Sequence, residues 1–300
     1  MKKKAKTLTI ACLLIGLYTA STAQDYYGAP PPPPRHPAYN NNQQPQDIGT
    51  TEPSGYISIN FGFATPEGNF GQSFPANTYS EGVGAGYGNY ALPGSVFHFS
   101  FGLPVNHSNF GVAFMFGSYD NQYDINSYAN TLNNSSVNYN PYSNSYITGY
   151  SGSQSNDYAE TSIMGGLYAT YPIGRLSIDG RLMIGALLNN LPEQTIYAED
   201  ADGDQLEYDV EPSNSTSFAF DIGAGARFFI AQFGRRKLCV MVNIDYLYSS
   251  VSYHTQQDLY VIPATGTNAG YQEQLVPSPT VSGTFPISLL NVSFGLGYQL

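Results

Sequence analysis

The last ten residues, Asn291-Val-Ser-Phe-Gly-Leu-Gly-Tyr-Gln-Leu300, decide the fold. Val292, Phe294, Leu296, Tyr298 and Leu300 hold every second position, and Asn291, Ser293, Gly295, Gly297 and Gln299 lie between them. A strict period of two sorts side chains onto the opposite faces of an extended strand. One face here is wholly apolar, and the other is small or polar. Farther back the same period recurs. In Tyr56–Phe63, Ile57, Ile59, Phe61 and Phe63 oppose Ser58, Asn60 and Gly62. It continues near 95–104 (Phe97, Phe99, Phe101, Leu103) and 109–119 (Phe110, Val112, Phe114, Phe116), then through 158–171. Three more segments are 175–188 (Ile178, Leu182, Ile184, Leu188), 217–231 (Phe218, Phe220, Ile222, Phe228, Ile230) and 237–249 (Leu238, Val240, Val242, Ile244). That makes eight segments of about ten residues, the length a tilted transmembrane strand needs.

The connections alternate in length. Short ones are Pro104 to Asn109, Pro172-Ile173-Gly174 and Gln232 to Arg236; long ones cover roughly 65–94, 120–156, 189–216 and 250–284. An even-stranded meander with tight turns at one end and long loops at the other gives this order. The expectation is an all-β fold, an eight-stranded antiparallel up-and-down transmembrane barrel over 54–300. A soluble sandwich shares the alternation but has no reason to segregate its loops by length. These strands also carry almost no Lys, and their polar faces are rich in Gly and Ser, as a narrow lumen requires. Tyr56, Tyr171, Tyr246, Tyr248 and Tyr298 stand near strand ends, where interfacial aromatics belong.

Composition agrees. Of 300 residues 42% are apolar and only 11% charged, with 26 Tyr and no Trp. Eleven basic against 22 acidic residues give −11, which argues against nucleic-acid binding. Lys2, Lys3, Lys4 and Lys6, an apolar run from Leu8 to Tyr18, and Ser21-Thr22-Ala23 read as a signal peptide over 1–23, cleaved before Gln24. Its removal leaves seven basic against 22 acidic residues, a formal −15, and Cys239 as the sole cysteine. Residues 24–53, with the prolines of 30–34 and the Asn/Gln run 40–44, read as a periplasmic linker.

The chain resembles the small outer-membrane β-barrel proteins, particularly those of Bacteroidetes, over about 54–300. The likeness rests on the leader ending Thr22-Ala23-Gln24, the eight alternating segments and the closing Val-Ser-Phe-Gly-Leu-Gly-Tyr-Gln-Leu. It implies residence in the outer membrane of a Gram-negative bacterium, contact with its lipid, and recognition of the last strand by the barrel-assembly machinery. That family usually ends in an aromatic residue; this chain ends in Leu300, with Tyr298 on the same face. The peptidoglycan-binding domain that some relatives carry is not expected.

Three features are candidates for chemistry. By parity Asp179, Arg181, Asp221, Arg227 and Asp245 face the lumen, where they are expected to form an internal ion-pair network rather than a catalytic acid pair. In 199–211, Asp200, Asp202, Asp204 and Glu211 match the spacing of EF-hand ligands, so a weak Ca²⁺ site is one reading. Gln205 stands where the EF-hand requires glycine, and the flanks alternate like strands, so an acidic hairpin tip is the other. The stretch Asp120–Asp157, with Tyr139, Tyr142 and Tyr146, reads as a surface loop able to contact a protein or a glycan. No Gly-x-Ser-x-Gly elbow or His-Glu-x-x-His motif is present, and the scattered histidines suggest no triad. Cys239 is expected to pack. The function expected is therefore structural or interactive, with no cofactor. A small porin, with ten strands built from loop hairpins, is the alternative, and an outer-membrane enzyme ranks behind it.

Overall fold

The computed structural model describes residues 55–71, 90–106, 108–134, 145–233, 236–262, 274–277 and 280–300. The leader and linker lie outside them. Thirteen strands follow in chain order: β1 (Tyr56–Pro66), β2 (Gly94–Pro104), β3 (Phe110–Asn121), β4 (Ile147–Gln154), β5 (Tyr158–Ile173), β6 (Leu176–Asn190), β7 (Gln194–Asp200), β8 (Gln205–Val210), β9 (Asn214–Phe233), β10 (Arg236–Thr255), β11 (Gln257–Ile262), β12 (Gln274–Pro277) and β13 (Val281–Gln299). Among the described residues one α-helix, α1 (Ile125–Asn133), precedes β4, and a short 3-10 turn at Gly68–Phe70 follows β1.

Eight strands close a barrel in the order β1-β2-β3-β5-β6-β9-β10-β13, each antiparallel to its neighbours. They coincide with the eight alternating segments. Pairing of β13 with β1 through Phe294↔Phe61 closes the ring and leaves no open edge. The remaining strands form a second sheet, in the order β12-β11-β8-β7-β4. The loop hairpins thus pair with one another instead of widening the barrel, and the ten-stranded alternative is not adopted. Tight turns share one end; between β5 and β6 the chain reverses through Gly174, whose φ of 61° suits a residue without a side chain.

The barrel wall has its apolar face outward. Phe61, Phe63 and Phe294 are more than half exposed, while Ser58, Asn60 and Ser293 on the alternate face are buried. Along β10 this sense reverses. Val240, Val242 and Ile244 point outward and Asn243 and Asp245 inward; farther along, Ser250, Ser252 and His254 point outward and Leu247, Val251 and Tyr253 inward. On β13 the inward residues change likewise, from Asn291 and Ser293 to Phe285, Ile287 and Leu289. The reversal marks the height at which the surroundings change from lipid to water. A spanning strand needs only about 9–11 residues. The 20 residues each of β9 and β10 therefore carry the wall well beyond the belt.

Apolar clusters lie inside the barrel at both ends. At the turn end Phe229, Cys239 and Met241 pack together. At the loop end an aromatic plug forms, with ring centroids 5.1 Å apart for Phe70–Tyr158, 5.6 Å for Tyr123–Tyr158, 5.5 Å for Tyr90–Tyr128 and 5.9 Å for Tyr253–Phe285. Tyr56 departs from the expected interfacial role: it lies on the Ser58 face and is buried in the lumen. Tyr171 does face outward.

Of the stretch expected to be a surface loop after Asp120, the described residues 121–134 and 145–157 are folded. The Asp124 carboxylate accepts the Ser127 N–H at 3.0 Å, capping α1, whose Ile125, Tyr128 and Leu132 pack inward at helical spacing. Asn133 then blocks the edge of β4. Its side-chain amide donates to the Tyr150 carbonyl at 3.0 Å and accepts the Tyr150 N–H at 2.6 Å, taking the place of a neighbouring strand.

The reversal along β10 can be measured. Ile244→Arg puts a charge on the belt and should cost about 2–4 kcal/mol of stability in lipid vesicles. Ser252→Arg lies beyond the belt and should change stability by less than about 0.5 kcal/mol. Equal costs in urea unfolding would contradict the assignment of the two levels.

Candidate functional site

The lumen and the loop-end sheet are the two places where polar side chains gather. In the lumen the structure brings four of the five candidate residues together in two ion pairs. Arg181 Nη2 donates to Asp245 Oδ1 at 2.5 Å. Registration shows how they meet: Arg181 on β6 and Asp245 on β10 both pair with Gly223 of the intervening β9. A side chain at 223 would collide with the Asp245 carboxylate, so the glycine is what lets the ion pair cross a whole strand. The second pair is bidentate. Arg227 Nε and Nη2 donate to Asp179 Oδ2 and Oδ1 at 2.6 and 2.7 Å, and Nη2 also donates to Thr170 Oγ1 at 2.9 Å. The Tyr56 ring lies against the same guanidinium, 4.9 Å from its centroid, which explains why this tyrosine turned inward.

Asp221 joins this arrangement by charge alone, interacting electrostatically with Asp245 and Arg181. Its register partners are Met183 and Leu247, so apolar side chains flank it, and neither carboxylate oxygen has a hydrogen-bond partner. The expected network is therefore two hydrogen-bonded pairs, with Asp221 coupled by charge to the Arg181–Asp245 pair but hydrogen-bonded to neither. Glu160, opposite Tyr119 and Asn189, also buries a carboxylate with no hydrogen-bond partner. Neutral hydrogen bonds fill the rest of the lumen: Ser58 with Ser100 at 2.6 Å, Asn243 to Asn60 at 3.1 Å, and His98 Nε2 with Tyr119 Oη at 3.1 Å. Cys239 packs as expected and donates to the Gly297 carbonyl at 3.3 Å.

The acidic segment forms the tip of the β7–β8 hairpin. Asp200 Oδ1 accepts the Asp202 and Asp204 N–H groups at 3.0 and 2.9 Å, and Gly203 has φ 83°. This is turn chemistry. Glu211 lies beyond the far end of β8, and at ~3.3 Å of rise per residue it is about 20 Å from Asp204. Asp200, Asp202, Asp204 and Glu211 therefore do not converge as an EF-hand loop would bring them. Among the described residues no three His, Cys, Asp or Glu side chains form a metal-holding group.

The hairpin instead belongs to a two-faced sheet. Ile196, Ala198, Leu206 and Leu259 are buried on one face. Tyr197, Glu199, Gln205, Glu207 and Tyr260 alternate with them on the other, in register across the strands: Ser151↔Tyr197↔Glu207↔Tyr260 and Gly149↔Glu199↔Gln205↔Ile262. A groove of about 560 Å³ runs over this face. On the buried side, burial pushes the Tyr150 hydroxyl up to about 12, so it stays protonated. The electrostatic asymmetry is pronounced. From residue 54 onward the only basic residues are Arg175, Arg181, Arg227, Arg235, Arg236 and Lys237, and none lies in a long connection. Of the tyrosines expected to make contacts, Tyr146 is exposed, and Tyr139 and Tyr142 lie outside the described residues.

No family model matches the chain, and no curated protein matches it. Among solved structures it is similar to Neisserial surface protein A at 10% identity, covering 82% of this chain and 97% of that one with a TM-score of 0.36. It is similar to Ail, the attachment invasion locus protein of Yersinia pestis, at 13% identity, covering 82% and 99% with a TM-score of 0.34. A third is the outer membrane protein AlkL, at 16% identity, covering 87% and 98% with a TM-score of 0.29.

The bidentate pair gives a prediction. Asp179→Ala leaves Arg227 buried without its carboxylate and should cost about 3–5 kcal/mol. Asp179→Ala with Arg227→Met removes both charges and should recover most of that loss in urea unfolding. A double variant as unstable as the single one would refute the pairing.

Proposed function

We propose that the protein is a surface-interaction barrel of the Gram-negative outer membrane, anchored by its apolar belt and meeting the environment through the loop-end sheet. One observation carries the reading most: three of the four long connections contribute strands to a five-stranded sheet with its own core and one polar, grooved face. Loops that merely joined strands would have no need of a core. The exported leader, the closed ring and the outward apolar face support the location. The acidic loop end and the basic turn end suit an orientation with the sheet outside. In this reading the protein acts by binding rather than catalysis, and the barrel-assembly machinery engages β13.

The porin alternative meets two obstacles. An eight-stranded interior is just filled by side chains, and here apolar clusters also lie at both ends. Reconstituted into planar bilayers, the protein should give no resolved single-channel steps. A reproducible ohmic channel would overturn the reading in favour of the porin.

A further inference from the structure

The polar face of the loop-end sheet has more specific chemistry than surface exposure alone. Tyr197 presents a ring that is 42% exposed. In register it lies between Ser151 and Glu207, with Glu199 two residues along the same strand and Gln205 beside that. Gly149, opposite Glu199, keeps the groove open: a Cβ added there would meet only Asn133 Oδ1, at 3.9 Å. The volume, about 560 Å³, is that of a small-molecule site. Carboxylates accept hydrogen bonds and cannot donate them, so the occupant must supply donors. With no Lys or Arg in any long connection, an anionic occupant has nothing to neutralise it. The occupant must also offer an apolar face to the tyrosine ring. A peptide cannot join as an extra strand at the β4 edge, because the Asn133 amide already occupies the Tyr150 backbone.

We infer that this groove binds a saccharide carrying hydroxyl or ammonium donors and no negative charge. Its C–H face stacks on Tyr197, and its donors are held by Glu199, Glu207 and Gln205. Amino sugars fit best, since an ammonium gains from both the carboxylates and the neighbouring ring. The inference rests on the surface-interaction reading and narrows it to one ligand class.

The test uses the full chain in lipid nanodiscs and three probes: cello-oligosaccharides, chitosan oligosaccharides and oligogalacturonates, followed by saturation-transfer NMR and calorimetry. Chitosan and cello-oligosaccharides should bind, chitosan more tightly, and oligogalacturonates should not. Tyr197→Ala, and separately Gly149→Val to fill the groove, should weaken binding at least about tenfold, the loss of roughly one ring contact. Heat-dependent gel mobility should show both variants still folded as barrels. No binding of either uncharged or amino probes at about 1 mM, equal binding after Tyr197→Ala, or preference for the acidic probe overturns the inference. So does a lysine-rich peptide that binds the groove in their place. A separate arm labels Tyr197→Cys on intact cells with a membrane-impermeant maleimide. Labelling without saccharide binding defeats this inference alone; absence of labelling defeats the surface reading with it.

Discussion

A closed ring with an apolar exterior must pair every backbone group of its wall from within, and the rest of the structure follows from that constraint. In lipid no water is available to the wall, so each backbone group pairs within the ring. Side chains facing inward cannot be uniformly apolar either, because eight strands leave a narrow lumen and the alternating positions must fill it. The chain fills it with glycine, serine, asparagine and two arginine–aspartate pairs. Such pairs recover their desolvation cost only when well hydrogen-bonded, and the bidentate Arg227–Asp179 contact meets that condition. Gly223 belongs to the same solution, since one missing side chain lets Arg181 reach two strands away.

Where the wall leaves the belt, the constraint relaxes and ordinary protein logic resumes. Leu247, Val251 and Tyr253 turn inward on the same strand whose Val242 and Ile244 turned outward. Those inward residues join Phe70, Tyr90, Tyr123 and Tyr158 in one core beneath the long connections. The loop-end sheet is therefore built on a rigid base, and a groove on it can hold its geometry.

Much of this was legible in the sequence. The eight strands, their faces, the loop-length alternation and the lumen positions of Asp179, Arg181, Arg227 and Asp245 all follow from a period of two. What was not legible depended on pairing between distant segments. Asp221 shares the parity of its neighbours, but its register partners are Met183 and Leu247, which no local pattern reveals. Tyr56 has the composition of an interfacial residue and the parity of a lumen one, and parity decided. The spacing of Asp200, Asp202, Asp204 and Glu211 imitates a cation loop only if the chain coils; it runs on as β8, and the ligands separate. The helix Ile125–Asn133 hid in an Asn- and Ser-rich stretch because its buried face, Ile125, Tyr128, Ala129, Thr131 and Leu132, is short and partly polar and gives a weak periodic signal.

Inside and outside reverse in polarity along a single strand, and a membrane-spanning belt requires that reversal. Nitroxide labels placed one at a time at 240, 242, 244, 250, 252 and 254 of β10, in the protein reconstituted into bilayers, measure it directly. The first three should relax faster with oxygen than with a water-soluble nickel chelate, and the last three should show the opposite preference. Nickel accessibility that is uniform across all six positions would contradict a lipid-facing belt and with it the membrane-spanning barrel.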